Sequence, residues 1–418
     1  MTRAVLGSLP ILLLLALVMV GACRGGQETL VDGVLHIRNG ATPPEGVQTI
    51  QLEEIWSHGG EEDETIYGLV THVAADENGN IYVFDAQQAT VFVYGPSGDF
   101  LRRLFREGDG PGEVRDPRAM VIRGDGSIGL LMQIPPKLVL VDPSGNPRPS
   151  LIYDAGNDSL CVSFGAVARG DHLVMSMIGQ ITEGTHQTAF FHLVTVDPEG
   201  HRTARFANAS GSLDFAHFAF SEANFIRDYM WRMTLGPDGR TYVAPDRDRY
   251  AIRVYRPDGT LERVIERDYT SWKRTDYEMA RLRGVMERMF ADTPFEVTYE
   301  VEETDPDIGS WRQPSLHVAD DGTLWVLSSR GCREQPEGIL QTFDVFSPEG
   351  HFTKQMAFAC EGDGTYDGLF FVGNDRLVQV TRVADSMVTM VFQGVAPEIA
   401  EDEEAPPVMV RCLRMMGS

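Results

Sequence analysis

The sequence has little positive charge and few lysines. Of its 418 residues, 36 are lysine or arginine and 61 are aspartate or glutamate, so the formal net charge is −25 at pH 7. Lysine occurs only at Lys137, Lys273 and Lys354. Nucleic acids are bound largely through cationic side chains that neutralise phosphates, so a chain this acidic is a poor nucleic-acid binder. We also expect its net charge to repel anionic lipid headgroups.

The sequence lacks the short motifs of common enzymes and metal sites. It contains no His-Glu-x-x-His, Gly-x-Ser-x-Gly, Cys-x-x-Cys or Asp-x-Asp-x-Asp-Gly pattern. The Gly-rich segment 108–113 lacks the Lys-Ser/Thr pair of a phosphate loop. His72 and His317 lie in similar phrases but at different distances from the glycine that follows, so we do not interpret them as a ring of metal ligands.

What the sequence does contain is a recurring phrase, a polar turn with glycine followed by an apolar strand. It reads DENGNIYVFD at 76–85, GPDGRTYVAPD at 236–246 and ADDGTLWVLS at 319–328. A partner phrase with a Pro-x-Gly turn, such as IRVYRPDGTLE at 252–262, follows each copy. Both phrases predict β-hairpins, because proline presets φ and glycine supplies positive φ in tight turns. Two hairpins per repeat give four strands, which is typical of a β-propeller blade.

The number of repeats predicts the architecture. Six first-hairpin turns can be counted, at Gly79, Gly126, Gly170, Gly239, Gly322 and Asn374. We therefore predict an all-β chain whose residues 48–396 form a six-bladed β-propeller with four-stranded antiparallel blades. The sixth repeat stops after a third strand near 387–392, and segment 49–63 resembles the outer strand and loop at 99–113. We expect this N-terminal strand to complete the last blade and close the ring, which removes exposed sheet edges. An open sandwich of hairpins is the alternative.

The N-terminus has the pattern of a secretory signal peptide. Arg3 precedes an apolar stretch, and Val20-Gly21-Ala22-Cys23 resembles the bacterial lipobox, in which the cysteine is lipidated. We expect residues 1–22 to be removed and Cys23 to anchor the protein in the cell envelope through acyl chains. By resemblance to Gram-negative sorting rules, Arg24 in the next position favours the outer membrane. An ordinary signal peptide that happens to contain a cysteine is the alternative.

The segments that flank the predicted propeller are polar, and the remaining cysteines are few. Residues 23–47 predict a flexible tether, and the acidic residues 397–418 predict a disordered C-terminal tail. Cys332 and Cys360 fall in the same repeat, after its second and fourth strands, and are candidates for a disulfide in an oxidising compartment.

Two segments interrupt the repeat. Residues 207–228 are rich in aromatic side chains, and residues 267–312 predict one helix between blades four and five. Thr275 and Glu278 form a capping-box pattern at the start of this helix, and apolar residues then recur at helical spacing as far as Phe290.

The helix allows two interpretations. In the first, its apolar stripe packs onto the blades. In the second, the helix covers the central channel as a lid and presents arginines to a ligand. Insertions in repeat proteins usually map to the binding face. The candidate binding residues are therefore Phe215, His217, Phe218, Arg281, Arg288, Trp311 and Arg312.

The repeat resembles a known superfamily. The pattern V-x-x-D-x-x-G-N-I-Y-V-x-D at 73–85, followed by VFVY and then G-x-G-P-G-E…P at 108–117, is similar to NHL-repeat and TolB-like six-bladed propellers. The resemblance covers about residues 50–395 and is weakest in the third and sixth repeats. Together with the lipobox and the helical insertion, it resembles bacterial propeller lipoproteins. Propellers of the NHL type mostly serve as binding platforms, and fold alone does not assign function.

The expected function is therefore binding. We expect a monomeric, membrane-anchored, extracytoplasmic module that binds a protein, peptide or glycan, contacts the membrane only through its lipid, and needs no cofactor. The alternative is a metal-dependent hydrolase or lyase, since some related propellers are amidating lyases or lactonases with a metal in the channel. A divalent ion such as Ca²⁺ would then be held by inward-facing carboxylates. No motif of those enzymes can be matched to residues of this sequence.

Overall fold

The chain is nearly all β. The computed structural model describes residues 26–61, 63–153, 161–214, 217–225, 232–293, 297–309, 313–385 and 407–416. The described residues include the α-helices α1 (Glu222–Phe225) and α2 (Asp276–Phe290), and residues 383–385 are also helical. α1 and α2 lie in the segments that interrupt the repeat. The predicted all-β class is confirmed.

The N-terminal segment forms strands that run along the outer edges of the sheets. These strands are β1 (Gln27–Val31), β2 (Val34–Asn39) and β3 (Val47–Gly59). β1 and β2 form an antiparallel hairpin, and β2 continues parallel to the outer strand of a later sheet. Much of the flexible tether predicted for residues 23–47 is therefore ordered. Burial of Ile37, which is 1% exposed, is one physical reason, because it packs beneath the turn at Gly350.

Four-stranded antiparallel sheets follow one another along the chain. The first three are β4 (Val70–Ala75), β5 (Ile81–Asp85), β6 (Thr90–Tyr94), β7 (Phe100–Leu104); β8 (Pro117–Ile122), β9 (Ile128–Met132), β10 (Lys137–Val141), β11 (Pro147–Ile152); and β12 (Cys161–Arg169), β13 (His172–Glu183), β14 (His186–Val196), β15 (Arg202–Asp214). Strands that are adjacent in sequence are adjacent in each sheet. The predicted turn glycines Gly79, Gly126 and Gly170 all have positive φ, as tight turns require.

The same meander recurs in the second half of the chain. Its strands are β16 (Ala219–Ser221); β17 (Met233–Leu235), β18 (Thr241–Val243), β19 (Ala251–Tyr255), β20 (Leu261–Arg267); β21 (Thr298–Glu300); β22 (Leu316–Val318), β23 (Leu324–Val326), β24 (Ile339–Phe346), β25 (Phe352–Ala359); and β26 (Gly368–Phe371), β27 (Arg376–Val380), β28 (Met409–Met416). A short 3-10 helix, Ser329–Cys332, follows β23. β1 and β2 extend the β17–β20 sheet at its outer edge.

The N-terminal strand β3 joins the last two sheets along the chain, β22–β25 and β26–β28. Its first residues pair parallel to β25, with Val47 opposite Gln355. Its later residues pair antiparallel to β28, with Gly59 opposite Met409. β28 in turn pairs with β27, so β3 is the fourth strand of the sheet that begins with β26. The sequence predicts this placement of the N-terminal strand.

The C-terminal prediction was wrong in one respect. Residues 409–416 form β28 rather than part of a disordered tail, and the third strand predicted near 387–392 lies outside the described residues. β28 is ordered because it is paired on both edges and buries Val410, Cys412 and Leu413 in the core. An acidic run precedes the strand in the sequence, so the composition of the whole segment predicts disorder although its last residues form a strand.

The second-hairpin turns determine how neighbouring sheets pack. At each of these turns, a glycine with positive φ lies against the outer strand of the sheet before it. The contacts join Gly98 to Trp56 of β3, Gly145 to Leu104, Gly200 to Ile152, Gly259 to Phe206 and Gly350 to Ile265. A β-carbon at these glycines would lie within 3.3 Å of the facing strand. Glycine is therefore required where one sheet touches the next.

The meander also gives each sheet two distinct ends. Strand direction alternates, so the turns that carry the repeated glycines lie at one end. The turns between the second and third strands, and the connections between sheets, lie at the other end. We call this second end the connection face. Both interruptions of the repeat are connections between sheets, and therefore both lie on the connection face.

Candidate binding face

The two interrupting segments pack against each other on the connection face. β16, from the first segment, pairs parallel to β21, from the second, with Phe220 opposite Tyr299. α2 packs against this pair of strands. It has the predicted capping box: Glu278 N donates to Thr275 Oγ1 at 3.2 Å, and Thr275 N donates to Glu278 Oε2 at 2.8 Å. We call this combined unit, residues 217–225 and 268–309, the platform.

The apolar stripe of α2 packs inside the platform. Val285 and Met286 are buried, and their cluster includes Phe220, Tyr299 and Val301. At the end of the helix, the Phe290 ring lies 5.8 Å from the ring of Phe218 and 5.5 Å from that of Phe220. The interpretation that this stripe packs onto the blades was therefore wrong. The sequence does not show that a strand from the other insertion would cover the helix.

A buried ionic network joins the platform to the sheets. Glu222 and Arg274 are 3% and 8% exposed, and the guanidinium donates to both carboxylate oxygens, at 2.6 and 2.7 Å. Arg274 Nε also donates to Asp305 Oδ1 at 2.7 Å. Buried charges are tolerated when they are paired and hydrogen-bonded. Although burial alone would lower it, these carboxylates raise the pKa of the Arg274 guanidinium.

The network continues into the β22–β25 sheet through Arg333, which follows the 3-10 helix. Arg333 pairs with Asp305 and donates from Nε to Glu278 Oε1 at 2.8 Å. Glu278 thus serves both the helix cap and this ion pair. The guanidinium lies 5.7 Å from the ring of Trp272. None of these charged residues was predicted as a site residue, because their partners lie far apart in sequence.

A separate contact joins α2 to the sheet that begins with β26. Arg281 pairs with Asp385, which also accepts from Arg382 Nη2 at 2.7 Å. The Arg281 guanidinium lies 5.0 Å from the Tyr366 ring centroid. The helix is therefore braced on three sides: by the first insertion, by Arg333, and by Asp385.

The predicted binding residues are only partly brought together. His217 is highly exposed, with its Nδ1 3.3 Å from Asp214 Oδ2, and Phe218 is half-buried beside Phe290. Arg288 lies in the last turn of α2, whereas Arg281 faces Asp385. Phe215, Trp311, Arg312 and the predicted lipidation site Cys23 lie outside the described residues.

The predicted disulfide between Cys332 and Cys360 is not formed in the structure. Both residues carry thiols and pack against the same apolar cluster. The Cys332 thiol donates to the Ser329 carbonyl oxygen at 3.3 Å, inside the 3-10 helix. Burial raises the pKa of the Cys360 thiol to about 11. The two residues do lie at the same apolar cluster, but no disulfide joins them.

The first strands of two sheets carry histidines whose pKa is lowered by burial. Burial lowers the pKa of His72, in β4, to about 3 and that of His317, in β22, to about 4. The His317 ring stacks on Phe371 of β26, with centroids 4.3 Å apart. Within the described part of the chain, no three His, Cys, Asp or Glu residues are grouped so that they could hold a metal ion. Nor does that part contain a helix long and apolar enough to cross a membrane.

Comparisons with known proteins assign neither a family nor an activity. No family model matches the chain, and no curated protein matches it. Among solved structures, the chain is similar to a protein described as exported from Bacteroides fragilis, with 10% identity over 91% of this chain and 100% of that one and a TM-score of 0.45.

Two named proteins are also similar in structure. Regucalcin, a calcium-binding protein from Agrobacterium tumefaciens, is 13% identical over 89% of this chain and 97% of its own, with a TM-score of 0.41. Virginiamycin B lyase from Staphylococcus aureus is 8% identical over 87% of this chain and 99% of its own, with a TM-score of 0.38.

Proposed function

We propose that the sheets are six blades of a propeller closed by the N-terminal strand. The support comes from contacts between first strands: β4 touches β8, β8 touches β12, β12 touches β17, β17 touches β22, and β26 touches β4. Gln313, just before β22, bridges to β26 by accepting from Leu369 N at 2.7 Å and donating to Leu369 O at 2.9 Å. The contact of Gly98 with Trp56 supports a position of β3 at the outer edge of the last blade.

We further propose that the protein is an exported lipoprotein whose platform binds a protein, peptide or glycan. One observation supports this proposal most. Two insertions that are far apart in the sequence pack together into one unit, the platform, on the connection face. A strand pairing, an apolar cluster and a buried ionic network all hold that unit in place. Binding residues are typically carried on insertions that a rigid scaffold positions.

The outer surface of the platform has the chemistry of a recognition surface. Tyr277 is 66% exposed at the start of α2, and the His217 side chain is 89% exposed beside the other end of the platform. Exposed aromatic and imidazole rings offer stacking area together with hydrogen-bonding groups. Neither residue is part of the buried ion pairs among Glu222, Arg274, Asp305 and Arg333.

A ligand screen with matched variants tests this proposal. The mature protein would be exposed to arrays of glycans and displayed peptides, and each ligand found would be titrated against two variants. We expect His217→Ala/Tyr277→Ala to weaken binding by at least about tenfold, as for hot-spot residues. Glu199→Ala, in a turn at the opposite end, should leave it unchanged. Equal affinity of all three proteins would place binding elsewhere and overturn the proposal. Elemental analysis of the same protein would test for a channel metal.

A further inference from the structure

We propose that the β1–β2 hairpin is a second membrane contact, which seats the outer edge of the β17–β20 sheet directly on the bilayer. This inference rests on the proposed lipid anchor at Cys23, and it changes the expectation that the lipid alone touches the membrane. The occupant of this surface is the phospholipid bilayer that holds the anchor. Three observations carry it: the reach of the chain, the exposed apolar tip, and the local charge.

The chain between Cys23 and the folded sheets is very short. Gly26 N donates to His351 Nδ1 at 3.2 Å, and His351 Nε2 lies 3.3 Å from Glu28 Oε1. A β-carbon at Gly26 would lie 2.6 Å from Asn39 Oδ1, so the backbone fits closely there. Two residues separate Cys23 from Gly26, and the three residue steps between them span at most about 11 Å. A lipid on Cys23 would therefore hold the hairpin close to the bilayer surface.

The hairpin exposes apolar side chains at its tip. Leu30 is 75% exposed and Val31 is 42% exposed, next to the turn at Asp32 and Gly33. β1 is the edge strand of its sheet. Leu30 lies four residue steps from Gly26, which is about 13 Å along a strand. The tip and the lipid anchor are therefore at similar distances from Gly26. Burial of apolar area in the interface strengthens membrane binding, and one acyl chain alone binds only marginally.

The local charge does not oppose this contact, although the whole chain is strongly acidic. The hairpin and its sheet, residues 26–39 and 232–267, together contain nine arginines against eight carboxylates. Along this edge, arginines share carboxylates: Glu266 pairs with both Arg38 and Arg249, and these two arginine side chains are 59% and 54% exposed. The hairpin edge therefore lacks the acidic excess that elsewhere repels anionic lipid headgroups.

A fluorophore placed at the tip tests the proposal in the lipidated protein. Leu30→Cys would be labelled and reconstituted in phosphatidylethanolamine–phosphatidylglycerol vesicles that carry a lipid-bound quencher. The matched control is Ile152→Cys, which is 60% exposed on the outer strand β11. Protein without an added cysteine sets the background from native thiols. We expect at least about threefold stronger quenching at position 30 than at position 152, because only the tip reaches the interface.

The outcomes separate this proposal from the anchor on which it rests. Equal quenching at both positions in vesicle-bound protein would overturn the hairpin contact and leave the anchor standing. Failure of the protein to float with vesicles would overturn both. A third outcome is that the probe at position 30 is shielded from solvent without vesicles and the protein is a dimer in solution. That result would mean that β1 contacts a second copy of the chain, and it would also overturn the proposal. As a second variant, Leu30→Glu/Val31→Glu should transfer between vesicles about tenfold faster than Ile152→Glu.

Discussion

Gly98 lies directly against Trp56: a β-carbon at Gly98 would be 2.6 Å from the indole Cγ. One residue belongs to the turn between β6 and β7, and the other to the N-terminal strand β3. This contact repeats, between the β4–β7 sheet and the sheet that contains β3 and β28, the packing that glycines at four other turns make between consecutive sheets. The N-terminal strand therefore occupies the position of an outer strand, although it is the first long strand in the sequence.

A substitution at this contact should be costly. Gly98→Ala combines an unfavourable positive φ with a clash against Trp56, and we expect it to lower the free energy of unfolding by about 2–4 kcal/mol. Gly184→Ala is the control, since Gly184 also has positive φ but a β-carbon there has open space in the described structure. It should cost about 1 kcal/mol. Urea unfolding measures both, and equal losses would show that the contact is unimportant.

The buried network offers a second prediction. Arg274→Met removes the arginine that binds both carboxylate oxygens of Glu222 and one of the two arginines that pair with Asp305. We expect a loss of about 3–5 kcal/mol, since a buried charge that loses its partner is strongly destabilising. The neighbouring Lys273→Met removes an ion pair with Glu303 in which both side chains are 77% exposed. That control should cost at most about 1 kcal/mol. Urea denaturation with hydrogen exchange across residues 217–309 measures the effect. Similar stability of the two variants would argue that the network does not hold the platform.

Acid should destabilise the protein through His317. Burial holds its pKa near 4 in the folded state, whereas an unfolded histidine has a pKa near 6.5. As the pH falls from about 6.5 to about 4, the unfolded state takes up the proton first, so stability decreases by up to about 1.4 kcal/mol per pH unit and then levels off. His317→Phe should flatten this part of the pH–stability curve. His201→Phe, on an exposed turn, should not. An unchanged slope in His317→Phe would contradict the assignment.

Truncation distinguishes a strand from a tail at the C-terminus. Deletion of residues 407–418 removes β28, which leaves the facing edges of β27 and β3 unpaired, and we expect loss of cooperative folding. Deletion of residues 417–418 alone is the control and should be tolerated. Circular dichroism and thermal denaturation measure the outcome. A stably folded 1–406 fragment would be consistent with the tail that composition predicts and would refute the role of β28.

The lipid anchor has a direct test. Cys23→Ser removes the only sulfur that could be acylated at the predicted lipobox, so we expect the protein to move from the membrane fraction to the soluble fraction. Mass spectrometry of the wild-type N-terminus should show the acyl mass on Cys23. Substitution of another cysteine, Cys360→Ser, should leave the fractionation unchanged. A membrane fraction that persists in Cys23→Ser would rule the anchor out.

Much of the fold could be predicted because it depends on sequence patterns within short segments. Turn glycines, Pro-x-Gly phrases and alternating apolar residues specify hairpins one at a time, and the capping box at Thr275 specifies where α2 begins. The candidate site was less accessible. His217 and Phe218 were predicted from an aromatic-rich segment, and they do lie on the platform. Glu222, Arg274, Asp305 and Arg333 gave no local signal, since a charged residue looks the same in sequence whether it is solvated or buried in an ion pair.

The sequence by itself determined the all-β class, the repeated four-strand unit, the helix α2 and the expectation that the N-terminal strand completes the last sheet. Each follows from backbone preferences within a few residues, or from copies of one phrase. Only the tertiary structure decided that β28 is the neighbour of β3, that the hairpin of β1 and β2 lies against the β17–β20 sheet, and that the two insertions form one platform. These depend on contacts between residues far apart in the chain, where burial and charge pairing are created by folding itself and leave no periodic trace.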